Sequence, residues 1–206
     1  MNMVPHNLPV NWFDVLVVIV LVAGAMRGRK RGMSQELIPL LKWITLAVVC
    51  GMFYRPAAQY MADTTVLSLL TTSFIAYLGM AMILASVFAL ISRRLGGKII
   101  GSDTFGAAEY YLGILAGMFR YGCILVFALS LLNARLYTQK EIDSMNQFQQ
   151  QNFDNNFFPT FYTIQHQVFE DSFSGPVIHN SLGAILIRPT IAQSKELQRK
   201  QFDLPM

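Results

Sequence analysis

Apolar residues run along the first two thirds of this chain in long stretches with no polar face, and four of them approach or exceed the length needed to cross a bilayer. The first runs from about Trp12 to Met26 and continues through a basic cluster; the second covers roughly Leu37 to Tyr54. The third, Val66 to Ile91, holds no charged residue, and at a rise of ~1.5 Å per residue it reaches about 39 Å, enough to span with tilt. The fourth, Leu112 to Leu132, carries one charge, Arg120. A soluble helix keeps a polar face, whereas helices apolar on every side face lipid. The pattern therefore predicts an all-α, polytopic integral membrane protein. Its four transmembrane helices lie within residues 1–132, at about 12–29, 37–54, 66–91 and 112–132.

Residues 133–206 differ in kind. They are rich in Gln, Asn, Phe and mixed charge, too polar to span and too aromatic for plain disorder. Phe161, Ile164, Val168 and Phe169 recur at helical spacing behind Pro159 and Thr160, which predicts a peripheral amphipathic helix over about 160–173. It is expected to lie on the outer membrane surface or to cap the bundle. The apolar patch Leu182 to Ile187 is too short to cross, and residues 194–206 read as a solvated tail.

Composition agrees: hydrophobic residues make up 53% and charged ones 14%, against about a quarter charged in soluble domains. The net charge of +4 does not point to nucleic acid, because the basic residues border apolar stretches instead of alternating with aromatics. They report orientation. The first connection carries Arg27, Arg29, Lys30 and Arg31 and the third Arg93, Arg94 and Lys98, whereas the second has only Arg55 and the N-terminal arm none. Lys and Arg accumulate on the cytoplasmic side, so both termini are expected outside the cytoplasm. No cationic residue precedes the first apolar run and Asp14 lies inside it, so a cleavable signal is not expected. Cys50 and Cys123 fall in apolar segments and imply no disulfide framework.

Ionisable groups inside spans are costly and mark candidate sites. Lys42 reads as snorkelling to the headgroups. Arg120 lies deeper, and either snorkels or pairs with a carboxylate such as Glu36 or Glu109. Asp14, near the outer end of the first segment, caps a helix N-terminus or meets another helix or water. Gly24, Gly28 and Gly32 repeat every fourth residue and Gly113 and Gly117 do the same, which gives smooth strips for close helix packing. Gly96, Gly97 and Gly101 suggest a flexible or re-entrant turn. Ser and Thr in the third segment read as interhelical partners or as bonds to the carbonyl four residues back. His6, His166 and His179 all lie outside the segments, and no paired aspartates, P-loop, dinucleotide fingerprint or metal spacing is present. The reading is a protein that is not an enzyme, with no catalytic residue, no cofactor and no metal.

The run NWFDVLVVIVLVAGAMRGRKRGMSQELIPLLKW resembles the start of the colicin V production (CvpA) family, small bacterial inner-membrane proteins of about four helices. Asp14, Arg31, Gly32, Glu36 and Trp43 are the matching positions. EYYLGILAGMFRYG is similar to a second family block through Leu112, Gly113, Gly117 and Arg120. Glu109 stands where Asp is usual, Tyr110 where Arg is usual, and Tyr121 where Gly is usual. The resemblance covers roughly residues 11–132. It implies a part in toxin production or export and in envelope physiology, in the inner membrane, with no settled biochemical activity; joined to the missing catalytic set, the reading is an accessory factor without intrinsic catalysis. The expected partners are the lipid bilayer and either further copies of the chain or an envelope protein docked on the aromatic C-terminal region. A small oligomeric channel or transporter, with Asp14 and Arg120 along its pathway, is the alternative.

Overall fold

The computed structural model describes residues 11–100, 106–153 and 160–191; His6, Gly101 and the tail at 194–206 lie outside them. Its order is α1 (Trp12–Thr64), α2 (Leu69–Ile100), a 3-10 turn (Gly106–Ala108), α3 (Glu109–Asn133), β1 (Arg135–Leu136), α4 (Gln139–Phe153), α5 (Phe161–Phe169), α6 (Ser174–Leu182) and β2 (Thr190–Ile191). Three of the described helices, α1, α2 and α3, are long and apolar enough to cross a membrane.

The first two expected segments are joined in one helical run of 53 residues, interrupted at Gly32. Asn11 starts it: its side chain accepts from the Trp12 amide, and its own N–H donates to the Asp14 carboxylate at 3.0 Å, a capping box. At Gly32 the backbone takes φ 75° and ψ 169°, a region open essentially to glycine alone. The arms on either side, 12–31 and 33–64, then run in opposite directions along α3. Gly24 packs on Gly117 and Gly28 on Gly113, an antiparallel register, whereas Glu36 meets Arg120 and Trp43 meets Phe127, a parallel one. The chain thus turns back without the expected loop. Arg and Lys are good helix formers, so the basic cluster stays helical up to the glycine, and Arg55, expected in a loop, lies inside the second arm. Gly96 and Gly97 likewise belong to α2 rather than to a turn.

One core cluster joins the second arm, α2 and α3. Tyr77 is fully buried, with its ring 4.9 Å from Phe127 and 6.1 Å from Tyr54, and Leu46, Cys50 and Leu70 close around them. The hydroxyls of Thr72, Ser73 and Ser86 donate to carbonyls within their own helix, so they act as local back-bonders. A second cluster sets Phe13 of the first arm against Leu129 and Val168, tying α5 to the bundle.

Thr160 caps α5 by accepting from the Thr163 amide at 3.2 Å, as its sequence suggests. The helix ends at Phe169, earlier than the expected residue 173. There the Ser172 hydroxyl donates to the Val168 carbonyl at 2.6 Å and accepts from the Gly175 amide at 2.9 Å, which turns the chain into α6. The short patch after α6 enters the core. Leu186 and Ile187 are buried, the Ile187 amide donates to Ser130 at 2.9 Å, and Asn133 donates to the Ile187 carbonyl at 3.0 Å. β2 then pairs in parallel with β1 through Arg135–Thr190 and Leu136–Ile191.

Gly32→Ala is expected to lower stability in detergent by ~1–3 kcal/mol, the cost of a side chain in this backbone region. Gly79→Ala in α2, where the added methyl meets open space, is expected to leave stability unchanged or raise it by up to about 1 kcal/mol. Thermal unfolding compares them, and equal midpoints would contradict the turn at Gly32.

Candidate functional site

The Gly32 end of the bundle brings together most of the residues that sequence reading singled out. The contact begins with backbone against backbone. A Cβ built on Gly113 would lie 2.6 Å from the Gly28 carbonyl oxygen, and one on Gly24 would lie 2.7 Å from that of Gly117. Side chains at these positions would hold the first arm and α3 apart, so the glycines set the separation.

That approach, with the turn at Gly32, delivers Glu36 into the interior, where it is fully buried. Arg120 donates from Nη1 to Glu36 Oε2 at 2.6 Å, and Arg31 donates from Nη1 to Oε1 at 3.4 Å. Of the two pairings left open for Arg120, Glu36 is the one formed. Arg120 is mostly buried and makes the short contact; Arg31 is 37% exposed and contributes less. Arg120 Nε and Ser34 Oγ are buried without a hydrogen-bond partner among the described residues.

Glu109 has a separate task. Its Oε1 accepts from the Ser34 amide at 3.2 Å, and its side chain packs on Gly32, so α3 supplies a cap for the orphaned first amides of the second arm. A Cβ on Gly32 would meet Glu109 Oε1 at 2.8 Å, a second reason for glycine there. Sequence reading offered Glu109 as a partner for Arg120, not as a cap for the second arm. Its carboxylate in the first turn of α3 was visible, but its target, 75 residues away, was not. Arg29 lies 5.0 Å over the Tyr110 ring and Arg120 5.7 Å from the centroid of the Tyr121 ring.

Asp14 belongs to the opposite end. It accepts from the amides of Phe173 at 3.1 Å and Ser174 at 2.8 Å and from the Ser174 hydroxyl, so it caps its own helix and holds the start of α6 as well. Beside it, Asn11 donates to the Gln167 carbonyl at 3.1 Å and Trp12 Nε1 to the Gln167 side chain at 2.9 Å. Asp14 and Arg120 are therefore not brought together. Lys42 lies 5.3 Å from the centroid of its neighbour Trp43 and stands apart from the ion pairs. No group of three or more His, Cys, Asp or Glu among the described residues is placed to hold a metal ion.

Long apolar helices, a glycine seam and a buried carboxylate between two arginines define an all-α protein of the membrane-spanning class. The chain belongs to the family described as Colicin V production protein, whose sequence model matches residues 13–153. No curated protein and no solved structure matches it. The matched stretch takes in the glycine seam, the ion pairs and α4, and leaves out α5, α6 and β2.

Removing one member of a buried pair strands the other charge, at a cost of about 3–5 kcal/mol, while replacing both by apolar groups is far milder. Glu36→Leu and Arg120→Met are each expected to destabilise the protein strongly, and the double variant less than either. Unfolding midpoints in detergent read this cycle; additive losses would show that the pair does not couple.

A second expectation concerns Asp14. Asp14→Ala removes the acceptor for α6 and is expected to speed proteolysis between α5 and α6, with the long helices left intact. An unchanged cleavage rate there would show that the contact does not hold α6.

Proposed function

We propose that this protein is a multi-pass component of the bacterial inner membrane that serves the production or export of a colicin V type toxin as an accessory factor, without a covalent reaction of its own. In this reading the two arms of α1, α2 and α3 make four crossings. The Gly32 end faces the cytoplasm, and the Trp12 end, the turn at 65–68 and the C-terminal helices lie outside. The charge bias supports that orientation, since Arg27, Arg29, Lys30, Arg31, Arg93 and Arg94 all fall toward the Gly32 end.

The observation that carries the non-catalytic reading is the state of Glu36. Each of its oxygens is held by an arginine, so the buried carboxylate is committed to joining helices. A general acid or base must come within hydrogen-bond reach of a substrate, and Glu36 is fully buried. The same kind of contact weighs against the channel alternative, since Asp14 is bound to the start of α6 and Arg120 to Glu36. Phe161, 72% exposed on α5, is the candidate contact for an envelope partner.

In cells that make the toxin, deleting the protein is expected to lower toxin activity in the medium, and Gly117→Leu is expected to fail to restore it. Undiminished toxin after deletion, or a covalent conversion carried out by the purified protein alone, would overturn the proposal. Impermeant thiol labelling gives the orientation: single cysteines at Ser68 and Tyr137 are expected to label in intact cells and those at Arg29 and Arg94 only after lysis.

A further inference from the structure

An apolar groove of about 750 Å³ runs along α3 between the two arms of α1, within the size range of small-molecule sites, roughly 300–1,000 Å³. Val17 and Leu21 form one wall, Ile44 and Val48 the other, and the floor is α3 from Leu115 to Val126. Three features of this groove identify an occupant.

The first is its length. The floor begins six residues into α3 from the Gly32 end and extends about 16 Å at the α-helical rise, so a chain entering from that end runs along it to just past the middle of the helix. The second is closure at one end only. α6 lies across the groove at the Trp12 end through Val177 and Ile178, anchored there by Asp14. The third is charge at the other end. Tyr111, 70% exposed, stands one turn before Leu115 on the same face of α3, and Arg29 stands two turns beyond Leu21 on the first arm, over the ring of Tyr110. A cation and a phenol thus flank the Gly32 end, and basic pockets between membrane helices on the cytoplasmic side bind anionic lipid headgroups.

We propose that this groove binds one anionic phospholipid of the leaflet at the Gly32 end, with an acyl chain along α3 and the phosphate at Arg29 and Tyr111. The proposal rests on the membrane-spanning reading above. The floor is smooth where the chain would lie: at Gly122 the nearest atom to an added Cβ is Leu21 Cδ2 at 4.0 Å, so the position has room for a methyl that the helix packing does not use.

The test is native mass spectrometry of the full chain from mixed micelles containing phosphatidylglycerol or phosphatidylcholine. The wild type is expected to retain one phosphatidylglycerol and to prefer it over phosphatidylcholine. Gly122→Leu, which fills the floor, is expected to abolish retention, and Arg29→Gln to lower it about fivefold, the effect of one cation near the membrane surface. Gly79→Leu, placed in open space on α2, is expected to change nothing. If Gly122→Leu does not purify, Cys123→Phe on the same groove repeats the test. No retained lipid, retention indifferent to headgroup, or retention unchanged in the filled variants would overturn the proposal. So would a dimer that Gly122→Leu disrupts, since a second copy would then occupy the groove. A chain that alkaline extraction releases from membranes sinks the spanning reading itself, whereas a membrane-bound protein without lipid sinks only the groove.

Discussion

Two helix backbones can touch only where neither carries a side chain, and in this protein that contact and a reversal within one residue depend on each other. Gly32 turns α1 back on itself in a conformation that a Cβ would strain, and the turn is short enough that both arms lie against α3. Lengthening it would shift the second arm along α3 and part Glu36 from Arg120. Filling the seam at Gly24, Gly28, Gly113 or Gly117 would move α3 away and strip the second arm of the cap that Glu109 supplies.

The buried charges follow from that geometry. A carboxylate in an apolar interior is costly unless paired and hydrogen-bonded, and Glu36 meets both conditions through Arg120 and Arg31. Pairs of this kind add little net stability compared with apolar packing, but they penalise every arrangement in which one partner is stranded. In lipid, where apolar surface does not drive helices together, such a pair and close backbone packing are the means of fixing one register. A precisely registered bundle with its polar groups turned inward fits a protein that presents a rigid surface to lipid or to a partner.

Much of this was legible in the sequence, for identifiable reasons. Long apolar runs reported the helices because lipid leaves no other pattern for them, and the four-residue glycine spacing reported the seam because it matches the helical repeat. Thr160 announced the start of α5 through its capping chemistry. The reversal at Gly32 was hidden because the signal for a loop, a run of charged residues, is equally good helix. A helix cap was one of the roles left open for Asp14, and its hold on Ser174 joins residues 160 positions apart, which no local pattern encodes. β1 and β2 are two residues each, too short for an alternating pattern, and α4 was masked by a polar composition that also suits irregular chain.

α1 doubles back at Gly32, and a single distance tests that reversal. Spin labels at Trp12→Cys and Tyr60→Cys, with Cys50 and Cys123 replaced by Ala, report the separation of the two ends of α1 by pulsed electron resonance. The reversed helix predicts a separation below half of the roughly 72 Å that an uninterrupted helix would give. A distance near that full length would contradict the reversal, and with it the ion pair and the seam that depend on it.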